Sequence, residues 1–217
     1  MTIRELGDDL ILRRATPDDV EAVAEFDARV LSERGWDEPD EPLRAWVKDM
    51  MSGRHPIMTA ADFLVVEDTA TGAIVSSTSL ISQTWSYAGI PFGVGRPEVV
   101  GTHPDYRRRG LVRAQFDVLH AWSAERGHLV QGITGIPWYY RQYGYEMALD
   151  MHGGRRGPIT NAPELEEDQE EPFRIRPATP ADLDVIAEIA DYGGNLEGRL
   201  LVNVLFPKQS SAIWPIS

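Results

Sequence analysis

The most informative stretch of this sequence is Val99-Val100-Gly101-Thr102-His103-Pro104-Asp105-Tyr106-Arg107-Arg108-Arg109-Gly110-Leu111-Val112. Its pattern changes from strand to turn to helix within a few residues, and this change indicates the fold. The β-branched Val99-Val100 pair, with Thr102 two residues on, predicts a short strand. Pro104 and Asp105 then predict a turn. From Leu111 the apolar residues recur at helical spacing, and Gly127 predicts the end of that helix. The stretch therefore predicts a strand, a tight turn and a helix.

Three arginines, Arg107-Arg108-Arg109, stand at the start of the predicted helix. The N-terminus of a helix is already positive, so each arginine there costs roughly 0.3–1 kcal/mol unless an anion is bound. Free backbone N–H groups, arginine side chains and Gly110, which permits close approach, together favour a phosphate site. Three solvated arginines on an acidic protein explain the spacing equally well. The pattern is neither a P-loop nor a dinucleotide fingerprint, since no Lys-Ser/Thr follows and Gly110 is the only glycine of the loop.

Two motifs resemble segments of the GNAT N-acetyltransferases. Arg107-x-x-Gly110-x-Val112 is similar to the Q/R-x-x-G-x-G/A loop that holds the acyl-CoA diphosphate in that family, with Val112 where the family has Gly or Ala. Tyr140-Arg141-Gln142-Tyr143-Gly144-Tyr145 resembles the Y-x-x-x-G-F/Y segment that follows the fifth strand. The run from His103 to Ala114 is most similar to the Eis-like (enhanced intracellular survival) subgroup. The resemblance covers about residues 10–150.

The resemblance implies a fold and a cofactor. The fold is α/β (α+β) and GNAT-like, with a central mixed, mostly antiparallel sheet flanked by helices. The cofactor is acetyl-CoA, with its pantetheine arm on the fourth strand, its diphosphate on the arginine loop and its acyl group near the end of the fifth strand. The residues assigned to the cofactor are Val100, Gly101, Thr102, Arg107, Arg108, Arg109, Gly110, Leu111, Val112, Arg113, Gly135 and Ile136.

The resemblance also assigns the acid of the reaction. Tyr140 matches the family's general acid for the departing thiolate, and a phenol with an ordinary pKa near 10 is protonated at neutral pH. An aromatic core shared with the neighbouring tyrosines is the alternative for Tyr140. The sequence does not identify the general base. Glu98 and His103 flank the cofactor strand and could act through water. A histidine that only forms part of the turn explains His103 equally well. In the Eis-like subgroup a carboxylate of a distant C-terminal domain is the base, and we expect no counterpart in this chain.

Composition narrows the class of protein and its partners. The 217 residues carry a net charge of −13, which argues against nucleic acid and favours a cationic amine. The absence of cysteine excludes disulfides, thiol nucleophiles and thiolate metal sites, and no His or carboxylate cluster has metal-ligand spacing, so we predict no metal. No apolar run is long enough for a membrane span, and the N-terminus lacks the layout of a signal peptide, which predicts no membrane association and a cytoplasmic location.

The remaining pattern predicts alternating strands and helices. A Thr16 N-cap begins a helix that reaches about Glu33, and a second helix runs from about Pro42 to Met51. Trp85 to Pro97 contains three glycines and two prolines and predicts a loop that could cover the acceptor site. The predicted strands are residues 10–12, 63–67, 73–83 and 129–134.

An internal repeat divides the chain. Arg176-Pro177-Ala178-Thr179-Pro180-Ala181-Asp182 echoes Arg13-Arg14-Ala15-Thr16-Pro17-Asp18-Asp19. We therefore predict a GNAT-like domain over residues 1–151, an acidic linker over 152–172, and an incomplete second GNAT-like unit, truncated or degenerate, over 173–217. We expect this apolar tail, with a strand over 200–206, to pack on the first domain or on another chain, which would make a homo-oligomer.

Three functions are compatible with these observations. The first is an acetyl-CoA-dependent N-acetyltransferase acting on a primary amine, by direct attack in a ternary complex; the acceptor is a small-molecule amine, an aminoglycoside-like molecule or a protein lysine. The second is a non-catalytic acyl-CoA-binding or regulatory scaffold module. The third, a nucleotide-binding protein, is disfavoured because there is no P-loop.

Overall fold

A computed structural model describes residues 2–136, 138–148, 176–195 and 203–205. Within these residues, eight strands form one sheet in the order β1-β2-β3-β4-β5-β6-β8-β7. Every neighbouring pair is antiparallel except β5 and β6, which are parallel. The mixed, mostly antiparallel sheet predicted from the resemblance is therefore confirmed. The strands are β1 (Thr2–Gly7), β2 (Leu10–Arg14), β3 (Phe63–Asp68), β4 (Ala73–Tyr87), β5 (Ile90–Thr102), β6 (Val130–Ile133), β7 (Glu146–Met147) and β8 (Asn203–Leu205).

Helices cover both faces of this sheet. The helices α1 (Val20–Val30) and α2 (Glu41–Met51) bury their apolar sides in one core cluster with Phe63, Val65 and Ile81 of the sheet. The helix α3 (Leu111–Glu125) packs on the opposite face, against residues such as Leu12 and Leu80. Because side chains alternate along a strand, β4 can supply Leu80 to one layer and Ile81 to the other. The two layers hold the sheet rigidly beneath the turn that precedes α3.

Two predictions about the strands were wrong. The chain begins with β1, which pairs with β2, whereas Leu10–Leu12 was expected to be the first strand. Residues 85–97 are not a loop, because β4 and β5 continue as a hairpin to the pair Tyr87↔Ile90. Proline is tolerated on edge strands, and Pro91 and Pro97 lie where β5 has no partner on its second side.

The strand β5 departs from regular pairing at its C-terminal end. Ser79 pairs with Glu98 and Ser77 pairs with Gly101, so β5 has one more residue than β4 between these pairs and forms a β-bulge. Val99, in this bulge, has a φ of 49°. On its other side β5 pairs with β6 only at Val94 and Gly95. Beyond those residues the two parallel strands separate. The backbone of residues 97–102 therefore has a free edge toward the space between β5 and β6.

The second unit contributes one described helix, α4 (Leu183–Asn195). Its start repeats the start of α1: Arg176 forms two hydrogen bonds with Asp182, as Arg13 does with Asp19, and both aspartates complete a capping box with a threonine. The sequence echo thus extends to the local structure of these two helix starts. The acidic linker over 152–172 lies outside the described residues, as do residues 173–175, 196–202 and 206–217 of the tail.

The apolar tail behaves in two ways where it is described. Residues 203–205, within the strand predicted over 200–206, pair with β6 and β7. In contrast, four apolar side chains of α4 are exposed. These side chains are Leu183, Val185, Ile186 and Ile189.

Candidate active site

A groove of about 680 Å³ opens where β5 and β6 separate. Its walls are the free edge of β5, the turn and first residues of α3, the C-terminal end of α1 and the aromatic segment after β6. These four elements are distant in sequence and meet only because the parallel strands diverge. Two of them contain the motifs that the sequence singled out, so the structure brings both motifs to one cavity.

The N-terminus of α3 faces this groove without a cap. Gly110 is the N-cap residue, in the left-handed conformation with a φ of 76°, and it has no side chain that could accept from the first helical N–H groups. Arg108 is also left-handed, with a φ of 62°. Successive left-handed and right-handed residues turn backbone N–H groups toward one point, which is the geometry of an anion-binding nest. The arginine loop can therefore hold a phosphate.

The arginines of the loop have different positions. Arg108 and Arg113 line the groove, and Arg107 does so while its Nε donates to the Thr102 carbonyl at 3.2 Å. Arg109 does not line it: its guanidinium lies 4.9 Å from the ring centre of Tyr106, and its Nη2 donates to the Asp105 carbonyl. Arg109 therefore stabilises the fold of the turn rather than the cavity wall.

The approach of α1 to β5 was not visible in the sequence. A Cβ added at Gly101 would lie 2.4 Å from Cγ1 of Val30, so only glycine lets the end of α1 come this close. Val30 and Leu31 consequently form part of the groove wall. A contact between Val30 and Gly101, which are 71 positions apart, has no local signal, although a glycine within a run of β-branched residues is the kind of residue that marks a close backbone approach.

Tyr140 lies in an aromatic cluster and also lines the groove. Its ring stacks on Phe116 with centroids 5.9 Å apart and meets Tyr139 edge-on at 5.1 Å. Burial raises the pKa of the Tyr140 phenol well above its ordinary value, with a further contribution from the neighbouring Tyr139. The phenol is therefore held in its protonated form. Both roles considered from the sequence, core aromatic and proton donor, are compatible with this position.

Around Tyr140 the segment after β6 is fixed by polar contacts. The Tyr145 hydroxyl donates to Oε1 of Gln131 at 2.6 Å, and the Arg113 guanidinium lies 5.1 Å from the ring centre of Tyr143. Tyr143 in turn stacks on Phe116 with centroids 4.7 Å apart. These contacts connect β6, α3 and the aromatic segment, so the orientation of Tyr140 does not depend on its own side chain alone.

The two candidate bases lie beside the groove and have partners. The Glu98 carboxylate forms an ion pair with Arg96 two residues earlier on the same strand. Burial raises the pKa of Glu98, and the charge of Arg96 partly opposes this effect. His103 packs edge-on against Trp36, with ring centroids 4.6 Å apart, and against Tyr106; its Nδ1 accepts from the backbone N–H of Asp105. Neither side chain lines the groove.

The assigned site residues divide into two groups. Those that line the groove are Val100, Gly101, Thr102, Arg107, Arg108, Gly110, Leu111, Val112, Arg113, Ile136 and Tyr140. Those that border it without forming its wall are Glu98, His103, Arg109 and Gly135. Val112, which departs from the family motif, packs partly against the aromatic cluster around Phe116. Six further wall residues were not among those assigned from the sequence: Val30, Leu31, Tyr106, Tyr139, Gln142 and Tyr143.

Two features are absent from the part of the chain that the structure describes. No three His, Cys, Asp or Glu side chains there lie close enough together to hold a metal ion. No described helix combines the length and the apolar composition needed to cross a membrane.

The family model of the acetyltransferase (GNAT) domain matches residues 12–148. This match covers more than half of the chain, and the chain therefore belongs to the GNAT acetyltransferase family. The family membership predicted from the two motifs is confirmed. No protein of curated function matches the sequence.

Solved structures with the same fold are distant in sequence. A GCN5-related N-acetyltransferase from Kribbella flavida has 23% identity and a TM-score of 0.51, over 64% of this chain and 33% of that one. A predicted acetyltransferase from Clostridium acetobutylicum, solved with acetyl-CoA, has 17% identity and a TM-score of 0.51, over 64% of this chain and 91% of that one. Eis1 from Mycobacterium abscessus has 14% identity and a TM-score of 0.49, over 64% and 32%. The chain thus spans about a third of the Kribbella and Mycobacterium proteins.

Proposed function

We propose that this chain is an acetyl-CoA-dependent N-acetyltransferase that moves an acetyl group to a primary amine by direct attack in a ternary complex. One observation carries the proposal: a single groove joins the uncapped N-terminus of α3, the free edge of β5 and Tyr140. Phosphate, pantetheine and thioester require anion donors, a free strand edge and a nearby proton donor in that order. The resemblance to the family supports the same order.

The residues present fit this cofactor. The N–H groups at the start of α3, with Arg108 and Arg113, would hold the diphosphate. The edge at Val100, Gly101 and Thr102 would hydrogen-bond the pantetheine arm, since β6 does not reach these residues. The bulge leaves Val100 without a pairing partner on β4, so its backbone is free to face the thioester. When bound, acetyl-CoA supplies an activated acyl group that an amine can attack.

The proton transfers can be assigned to residues of this chain. The amine nitrogen bonds to the acetyl carbon, the carbon–sulfur bond breaks, and Tyr140 donates a proton to the departing thiolate. The proton that the amine loses would go to Glu98 or, through water, to His103. We favour Glu98, because burial has raised its pKa toward the range in which a carboxylate is a useful base. The net charge of −13 supports a cationic acceptor, which is a small-molecule amine, an aminoglycoside-like molecule or a protein lysine.

A second function, an acyl-CoA-binding or regulatory module without catalysis, is favoured by the state of the two bases. Glu98 is paired with Arg96, and His103 is enclosed between two aromatic rings. A base supplied from elsewhere would explain the same arrangement.

One pair of measurements separates the two functions. Thermal unfolding with acetyl-CoA reports binding, because a ligand that binds only the folded state raises the melting temperature. Release of free thiol with a panel of diamines, aminoglycosides and lysine peptides reports turnover. Binding with acceptor-dependent thiol release supports the enzyme. Binding without release on any amine supports the module, and no binding contradicts both.

A further inference from the structure

The strands β4 and β5 extend beyond the rest of the sheet as a two-stranded ribbon, which we define as residues 84–87 and 90–93. Pairing of β3 with β4 ends at Phe63↔Ser79, and β6 pairs with β5 only at Val94 and Gly95. The β4–β5 ladder nevertheless continues to Tyr87↔Ile90. Ala88 and Gly89 close it as a two-residue turn with φ values of 51° and 78°, which matches the twist of a tight hairpin.

One face of the ribbon tip is apolar and open to solvent. Residues that pair directly across an antiparallel ladder lie on the same face, so Trp85 and Phe92 share a face with Tyr87 and Ile90. The side chains of Tyr87 and Ile90 are 80% and 69% exposed. A two-stranded ribbon without a covering layer is marginally stable in water. We therefore expect another surface to cover this apolar face.

The ribbon also has an unpaired edge. Within the described residues, no other strand pairs with the outer edge of β4 from Leu80 to Tyr87. Soluble proteins usually protect such an edge with charged side chains, because a bare edge recruits other strands. Near the base of the ribbon Arg126, which is paired with Asp62, donates to the Ser82 hydroxyl. Toward the tip, residues 83–95 contain no Asp, Glu, Lys, Arg or His.

This charge-free run identifies the partner. Copies of a chain with a net charge of −13 repel each other, so two copies can approach most easily through a neutral surface. We propose that the ribbon is the interface of a symmetric dimer, in which the β4 edge of one copy pairs antiparallel with the same edge of a second copy. A two-fold axis perpendicular to the sheet keeps each side chain on its own face. The exposed aromatic side chains of both copies would then form one apolar cluster across the new strand pair.

The test is the oligomeric state of the full chain. Light scattering and sedimentation equilibrium are measured up to roughly 100 µM, where a dimer with a dissociation constant of about 1 µM would be mostly formed. We expect a dimer for the wild type. Tyr87→Lys should raise its dissociation constant by more than about a hundredfold, since a charge enters the symmetric contact twice. Tyr87 is exposed and distant from the groove, so the variant should still bind acetyl-CoA with unchanged affinity, which reports that it is folded.

Leu183→Lys is the matched control, because Leu183 is also an exposed apolar residue, 62% accessible, on α4. This variant should remain a dimer. A wild-type chain that is monomeric over the whole concentration range overturns the proposal. A Tyr87→Lys dimer as tight as the wild type overturns it as well, and loss of the dimer only in Leu183→Lys would assign the interface to α4 instead.

Discussion

The Tyr106 hydroxyl donates a 2.6 Å hydrogen bond to Oδ2 of Asp68, and this bond ties the turn before α3 to the end of β3. It lowers the pKa of Asp68 and raises that of Tyr106, as expected for a phenol that donates to a carboxylate. The ring of Tyr106 contacts His103 on one side and Arg109 on the other. One side chain thus fixes the turn that presents the backbone N–H groups of the groove.

We expect Tyr106→Phe to impair acetyl-CoA binding, although the variant keeps the ring that lines the groove. Loss of the bond to Asp68 lets the turn move, and small misplacements of a positioning element cost up to about a hundredfold. The KM for acetyl-CoA should rise about tenfold, with kcat changed much less. Asp68→Asn, which keeps an acceptor oxygen, should be milder. An unchanged KM in Tyr106→Phe would show that the turn is held by other contacts.

The two arginines Arg108 and Arg109 should differ in their effect on binding. Arg108 lines the groove, and each charge-assisted contact to a phosphate is worth roughly 1.5–3 kcal/mol, so Arg108→Ala should weaken acetyl-CoA binding by at least about tenfold in calorimetry. Arg109→Ala is the matched control and should have the smaller effect, because its guanidinium lies on Tyr106. Equal affinity of the Arg108 variant and the wild type would contradict the assignment of the phosphate loop.

Tyr140→Phe tests the proton donor. The substitution removes one hydroxyl and keeps the ring that packs on Phe116, so the fold and the affinity for acetyl-CoA should be nearly unchanged. Turnover should fall by about 10²–10⁴-fold. A variant that unfolds or no longer binds acetyl-CoA would identify Tyr140 as a core residue instead.

Glu98→Gln and His103→Gln distinguish the two candidate bases. If Glu98 is the base, its substitution should lower kcat/KM by about 10²–10⁴-fold, and His103→Gln should have little effect. Because burial raises the pKa of Glu98, the acid limb of the wild-type kcat/KM profile should lie above the pH range of an ordinary carboxyl group. The opposite ranking of the two variants would assign the base to His103. If both retain full turnover, the base lies elsewhere.

The buried Asp27 should make the free energy of unfolding depend on pH. Its carboxyl group is fully buried on α1, only the Ser77 hydroxyl contacts it, at 3.4 Å, and its Oδ1 has no partner among the described residues. Burial raises its pKa well above the ordinary value. As the pH rises above about 4, the unfolded chain releases this proton while the folded chain keeps it, so the contribution of Asp27 to stability falls until the folded pKa is passed.

Asp27→Asn should remove that loss. We expect the free energy of unfolding at pH 7, measured by urea titration, to exceed that of the wild type by on the order of 1 kcal/mol, with little difference at pH 3. Asp184→Asn, an exposed change on α4, is the control and should show no comparable pH-dependent gain. The difference in the free energy of unfolding, variant minus wild type, should therefore be larger at pH 7 than at pH 3. A smaller difference at pH 7 would mean that Asp27 is ionised in the folded protein.

The sequence by itself was sufficient to predict the two helix starts, because their conformation depends on neighbouring residues in the chain. Gly110 before an apolar helical period indicates a helix start with free N–H groups, and Thr16 predicts an N-cap, which the structure contains as a capping box with Asp19. Two short motifs were enough to indicate the family and most of the groove wall, because a phosphate loop needs particular residues at fixed spacing.

The tertiary structure alone decided where β4 and β5 end and what reaches the groove. Glycine and proline in residues 85–97 indicated a loop, but the long ladder with β4 and the absence of a second partner overrode that local preference. The contact of Val30 with Gly101 joins residues that no local rule connects, and no local signal indicates the complete burial of Asp27. They follow from the crossing of α1 over the sheet and from the separation of β5 and β6, which are properties of packing between elements rather than of any one segment.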